Sequence, residues 1–177
     1  MITKSIKSKI KEYFALNPTK RLRVREMERE IKIPLPSAIR YSDELVKEGY
    51  LKIVKVSNVT FYSADRSSEC FILEKKLFNI KKIYESGLIE FLKEKYGNPN
   101  IVLFGSYSKG EDAEDSDIDI FLETGLKKEI NLNEYEKKLK RKIQLFVYKS
   151  IREVKNNDLA NNIINGVILN GFVEVFK

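Results

Sequence analysis

Asp117 and Asp119 stand two residues apart in Asp117-Ile-Asp-Ile-Phe-Leu122, a run that is otherwise apolar. In an extended strand, alternation places both carboxylates on one face and Ile118, Ile120 and Leu122 on the other. Carboxylates side by side repel each other unless positive charge lies between them. A pair of divalent cations roughly 3.5–4 Å apart is the usual solution in phosphoryl and nucleotidyl transfer. Upstream, Ile101-Val-Leu-Phe104 is a continuous apolar run, the pattern of a strand buried on both faces. It leads into Gly105-Ser106, where the missing side chain lets backbone amides face a phosphate. A helix starting there points its positive end at the same place. The chemistry that fits is attack at the α-phosphorus of a nucleoside triphosphate with loss of pyrophosphate. Asp117 and Asp119 would hold Mg2+ or Mn2+ against the triphosphate, and Ser106 with its neighbouring amides would take the β- and γ-phosphates.

Composition narrows the alternatives. The 177 residues contain no histidine and one cysteine, Cys70. Imidazole general bases, serine-type triads and cysteine- or histidine-based metal sites are therefore excluded, and any catalytic metal needs oxygen ligands. No apolar run approaches the roughly 18 residues of a membrane span. The first residues lack the apolar block of a secretory signal, so a cytoplasmic protein is expected. The net charge of +7 is unevenly spread: residues 1–65 hold 14 Lys and Arg against 8 Asp and Glu, whereas residues 66–177 hold 19 against 18. A basic first third suggests a polyanionic partner, or simply a lysine-rich solvated surface.

The elements around these residues fall into three segments, with domains expected at 1–65, 66–85 and 86–177. Apolar spacing predicts a helix over Thr3 to Leu16, stopped by Asn17-Pro18, and a short one over Val24 to Ile31. Pro34-Leu35-Pro36 interrupts, and a third helix runs from Ser37 to Glu48 with Gly49 as a left-handed cap. Leu51–Val56 and Val59–Tyr62 read as a hairpin about Ser57-Asn58. Three helices followed by a hairpin make a winged helix-turn-helix. Such a fold reads DNA with its third helix. Arg40 is the base-reading candidate, Ser37 sits at the start of that helix, and Arg21, Arg23, Arg25, Lys52 and Lys55 could touch phosphates. Leu35, Pro36 and Ile39 on the same helix suit a protein interface better. Ser68 to Tyr84 carries Leu73, Leu77, Ile80 and Tyr84 on one stripe, a connecting helix or a homodimer contact. Ser86 can cap a helix running to Tyr96, ended by Gly97-Asn98-Pro99.

Gly105-Ser106, ten intervening residues and Asp117-x-Asp119 resemble the signature of the minimal nucleotidyltransferases of the DNA polymerase β superfamily. The resemblance covers about residues 86–177, including Gly166-Val-Ile-Leu-Asn-Gly171, which is similar to that family's C-terminal helix end and strand. It implies an α/β (α+β) nucleotidyltransferase module, here preceded by the winged helix-turn-helix and a helical connector. It also implies nucleotide binding by Gly105 and Ser106, and catalysis and metal binding by Asp117 and Asp119. Two departures stand out. The family's turn continues with a small residue, arginine and glycine, where this chain has Ser108-Lys109-Gly110, leaving Lys109 to meet phosphate as a point charge. Active members carry a third carboxylate on a later strand. The matching strand is Lys142–Val147, with Gln144 at the third position, and an amide is no base near neutral pH. Glu153 is a remote substitute.

Two readings follow. The first is a metal-dependent nucleotidyltransferase that moves a nucleoside monophosphate, AMP from ATP in the first instance, onto a protein or small-molecule acceptor, with a weakened active site. The second is a nucleotide-binding, catalytically impaired module of a winged-helix DNA-binding regulator. A winged helix that docks a substrate or a second copy is compatible with the first.

Overall fold

The computed structural model describes residues 5–175, in two compact units divided between Lys75 and Lys76. The expected helix start at Thr3 falls outside the described residues.

In the first unit, α1 (Ile6–Leu16) starts at Ser5, whose hydroxyl accepts from the Ser8 amide at 3.2 Å. It buries Ile10, Phe14 and Ala15. A two-residue strand β1 (Arg21–Leu22) follows, which the sequence pattern does not signal. The second helix is shorter than its spacing suggests. α2 (Val24–Met27) gives way at once to a π-helical stretch, Glu28–Lys32, ending with Lys32 at φ 56°. Met27 and Ile33 are both buried in the same core, a tertiary demand that a 3.6-residue period does not encode. α3 (Leu35–Lys47) begins two residues earlier than Ser37. Pro36 does not interrupt it but occupies its first turn, where a missing N–H costs nothing. Gly49, at φ 75°, follows as expected.

β2 (Leu51–Val56) and β3 (Val59–Ala64) form an antiparallel hairpin, and β1 adds to β3 to give the order β1-β3-β2. The hairpin turn is held by Ser57 at φ 52°. Tyr50 lies in the middle of this core, edge-on to Phe71, with its hydroxyl donating to the Lys11 carbonyl at 2.8 Å. Phe71 belongs to α4 (Glu69–Ser86), an 18-residue helix that runs through the boundary between the units.

The second unit is built on a four-stranded sheet. After α5 (Leu88–Tyr96), closed by Gly97 at φ 66°, come β4 (Asn100–Phe104), α6 (Gly105–Lys109) and β5 (Ile118–Glu123). Gly87, not Ser86, takes the cap position of α5, although the Ser86 hydroxyl accepts from the Leu88 amide at 3.2 Å. Then follow α7 (Asn133–Leu139), β6 (Ile143–Tyr148), a 3₁₀ turn at Ile151–Glu153, α8 (Asn157–Ile164) and β7 (Val167–Asn170). The strand order is β6-β5-β4-β7, with β5 and β6 parallel and the other pairs antiparallel. The parallel pair requires the long crossover that α7 supplies.

Alternation then divides the sheet between two apolar layers. Ile101, Leu103, Ile118, Ile120 and Leu122 pack with Leu88, Ile89 and Leu92 on one face. Val102, Phe104 and Phe121 pack with Ile151, Val154 and Ile163 on the other. β4 and β5 are thus covered on both sides, as their apolar runs require. Among the described residues no helix is long and apolar enough to cross a membrane.

The packing behind β4 is tight enough to test. A Cβ at Gly166 would sit 2.6 Å from the Leu103 carbonyl oxygen and 2.7 Å from Val102 Cγ1. Gly166→Ala is expected to destabilise the second unit by about 1–3 kcal/mol through overpacking. Urea unfolding followed by a probe in that unit should show a lower midpoint.

Candidate active site

β4 ends where the chemistry begins. Gly105 has φ 73°, a conformation that side chains rarely adopt, and a Cβ there would overlap the Asp119 carboxylate. Glycine is required twice over, for the backbone angle and for the close approach. Asp119 lies on β5 in register with Phe104 on one side and with Gln144 on the other. Asp117 sits one residue before β5 and not within it. The adjoining Ile118 amide donates to the Lys142 carbonyl at 2.8 Å, fixing the strand entry against the start of β6. Gln144 then reaches across, its Nε2 donating to Asp117 Oδ2 at 2.6 Å. The candidate third position therefore touches the first carboxylate and stands beside the second.

The electrostatics follow from this geometry. Partial burial raises the Asp119 carboxyl above the ordinary range, and the negative charge of Asp117 raises it further. Among the described residues no group of three His, Cys, Asp or Glu side chains converges, so the centre has two carboxylates and the amide of Gln144. Hard oxygen donors of this kind fit Mg2+ or Mn2+, and a cation would relieve the strain on Asp119.

Other expected residues fall nearby or elsewhere. Ser106 lies in the first turn of α6, with Ser108 Oγ donating to the Gly105 carbonyl at 2.8 Å. α6 is only five residues long, so its first-turn amides matter more than any long helix dipole. Lys109 is exposed in the last turn, capped by Gly110 at φ 79°. Glu153 lies beyond the far end of β6, where it borders a cavity with Thr124, Tyr148 and Lys149, and it does not join the carboxylates. A second cavity of about 420 Å³ opens beside Asp117. Glu114, Asp115 and Ser116 line one side, and Lys137, Lys140, Arg141 and Lys142 the other.

In the first unit the basic candidates are scattered. Arg23 starts α2 and donates to Glu26 at 2.7 Å, Lys52 pairs with Asp65 at 3.4 Å, and Arg40 stacks on Tyr41 and pairs with Glu44 at 3.3 Å. Arg21 and Lys55 are exposed on β1 and β2, and Ser37 is half-buried in the first turn of α3. Arg23 and Arg25 come together, with Arg29 and the Asn58–Thr60 turn, around a groove of about 630 Å³. Arg29 escaped the sequence reading because nothing in its spacing distinguishes it from a solvated helix face.

The raised Asp119 carboxyl makes a signed prediction. The folded state binds that proton more tightly than the unfolded chain, so ionised Asp119 costs stability above its folded pKa, and the cost fades as pH falls through it. Without divalent metal, Asp119→Asn is expected to melt higher than the parent near pH 7. The difference should shrink towards pH 4, about the ordinary Asp value. Melting curves in chelator at both pH values would check this.

Residues 85–169 match the family described as nucleotidyltransferase domain. A Methanocaldococcus jannaschii protein whose assigned name is protein adenylyltransferase is 40% identical over 84 residues, spanning 44% of this chain and 83% of that protein. The matched stretch contains β4, α6, β5 and β6, and with them Gly105, both carboxylates and Gln144. This chain belongs to the nucleotidyltransferase domain family and is a transferase.

Proposed function

We propose that the protein is a metal-dependent nucleotidyltransferase that moves AMP from ATP onto a protein acceptor. The observation that carries the metal-site reading is the carboxylate pair held beneath a glycine that admits no side chain, with Asp119 disfavoured as an anion until positive charge arrives. The choice of AMP and of a protein acceptor is supported by the name of the Methanocaldococcus jannaschii relative. When bound, Mg2+ or Mn2+ supplies charge neutralisation at the phosphates and orients them for in-line displacement. Asp117 and Asp119 hold it. The amides around Gly105 and Ser106, with Lys109 offering a further positive charge, would hold the β- and γ-phosphates, so that pyrophosphate leaves as the acceptor bonds to the α-phosphorus. Gln144 orients Asp117 and takes no proton itself, so the proton of the attacking acceptor passes to water.

The first unit is read as a winged helix, supported by its three helices and the sheet order β1-β3-β2. Three of its basic candidates, Arg23, Arg40 and Lys52, pair with neighbouring carboxylates, whereas Ile39 on α3 is 43% exposed. These features favour a docking arm for a protein acceptor or a second copy. The second reading is a regulator that binds nucleotide without turnover and meets DNA through residues 1–65. The replacement of a base by Gln144 and the Arg25 and Arg29 groove favour it.

Thermal-shift titration with each nucleoside triphosphate and Mg2+ or Mn2+ separates these outcomes. A nucleotide at about 100 times its dissociation constant should add roughly 2.7 kcal/mol of stability. The shift should be largest for ATP, require the metal and vanish in Asp117→Asn/Asp119→Asn; no shift with any nucleotide would sink the reading. Gln144→Glu restores a carboxylate at the strand position beside the pair. It is expected to accelerate pyrophosphate release by about 10²-fold, the lower end of general-base catalysis. An unchanged rate would mean that the acceptor proton leaves by another route.

A further inference from the structure

Five acidic residues precede Asp119 between Gly110 and Ile118, and one of them is unlike the rest. Asp112 is 1% exposed, whereas Glu111 and Asp115 face solvent. Its carboxylate accepts from Asn79 Nδ2 at 2.7 Å, and the same nitrogen donates to the Tyr107 carbonyl at 2.9 Å. Arg141 Nη2 lies 3.7 Å from the other carboxylate oxygen, and that side chain is 7% exposed. An aspartate, a guanidinium and an asparagine, all buried, thus connect α4, α6, the loop before Asp117 and the turn before β6.

Burying such a pair is not an efficient route to stability. The desolvation of two charges offsets their attraction, and apolar replacements of similar size often serve equally well. What the pair does here is fix geometry. Asp112 stands five residues before Asp117, in a loop closed by Ala113 N donating to Ser116 Oγ at 2.9 Å. Arg141 stands three residues before Gln144 and next to Lys142, whose carbonyl receives the Ile118 amide. Three segments around the site are therefore attached to this one buried cluster: α6 through Tyr107, the approach to Asp117 through Asp112, and the start of β6 through Arg141.

We infer that the Asp112–Arg141 pair, bridged to α4 by Asn79, is the positioning device that keeps Asp117 placed beside the strand carrying Asp119 and within reach of Gln144. This rests on the reading that the carboxylate pair binds a divalent cation. Asp112 and Arg141 are positioning residues, since neither is a member of the carboxylate pair. The short turn, the Ile118 amide and the Gln144 contact all bear on Asp117 locally, and the buried pair anchors the loop and the start of β6 that carry them. Supports behind metal ligands of this kind are worth about 10–100-fold in affinity.

The test separates positioning from stability. Mn2+ alone is titrated into the full chain, free Mn2+ is counted by electron paramagnetic resonance, and melting temperatures are taken in parallel. The proteins are the parent, Asp112→Asn, Asp112→Asn/Arg141→Gln and Asp119→Asn. The single Asp112→Asn change removes the carboxylate charge beside a buried guanidinium and is expected to melt lower. The double change removes both charges and is expected to return the melting temperature close to that of the parent, while Mn2+ affinity stays about tenfold weaker. Parent-like Mn2+ binding in the double variant would overturn the inference, as would a melting temperature as low as that of the single change. A parent that binds no Mn2+, or undiminished binding in Asp119→Asn, would overturn the metal site as well.

Discussion

The second unit is organised around one unfavourable charge placement. Partial burial raises the Asp119 carboxyl, and the negative charge of Asp117 raises it further. A fold that relieved the repulsion locally would lose the reason for building it. Under the proposed function a bound cation would relieve it, while the surrounding structure keeps the carboxylates in place. Gly105 yields the space that Asp119 fills, β4 pins its backbone in register, and Gln144 secures Asp117 from the neighbouring strand.

Rigidity of that kind has to come from packing on both faces of the sheet. β4 and β5 supply it through strictly alternating apolar side chains, each set meeting a different layer of helices. Polar contacts refine what packing provides. Asn100 donates to Glu123 Oε2 at 2.7 Å, and Glu123 Oε1 accepts from the Ile151 amide at 2.8 Å, so the end of the strand pair away from the carboxylates is also tied down. The first unit has its own core around Phe14, Met27, Leu45 and Tyr50, and its hairpin closes with a left-handed Ser57.

Much of this was legible before any coordinates. The apolar run at Ile101–Phe104, the glycine after it and the interrupting aspartates gave the strand, the turn and the carboxylate pair, because burial and alternation act locally. Gln144 was legible as a position, but its bond to Asp117 was not, since a parallel pairing across a long crossover leaves no local trace. The π-helical turns at Glu28–Lys32 and the brief β1 were invisible for the same reason: both answer to the core they meet and not to their own spacing. Pro36 misled because proline signals a break inside a helix but fits its first turn. Nothing in the spacing of Asp112 or Arg141 sets them apart in a charged chain, and burial is what distinguishes them.

Residues 100–123 hold β4, the Gly105 turn and both aspartates in one continuous stretch, an antiparallel strand pair joined through α6 and the acidic loop. The other groups that border the carboxylates, on α7, β6 and the turn between them, come from later in the chain. Divergence of the later segment can therefore alter which molecule is presented to the carboxylates while the strand pair itself stays unchanged. The division allows recognition to evolve on one stretch of sequence while phosphate chemistry is inherited on another.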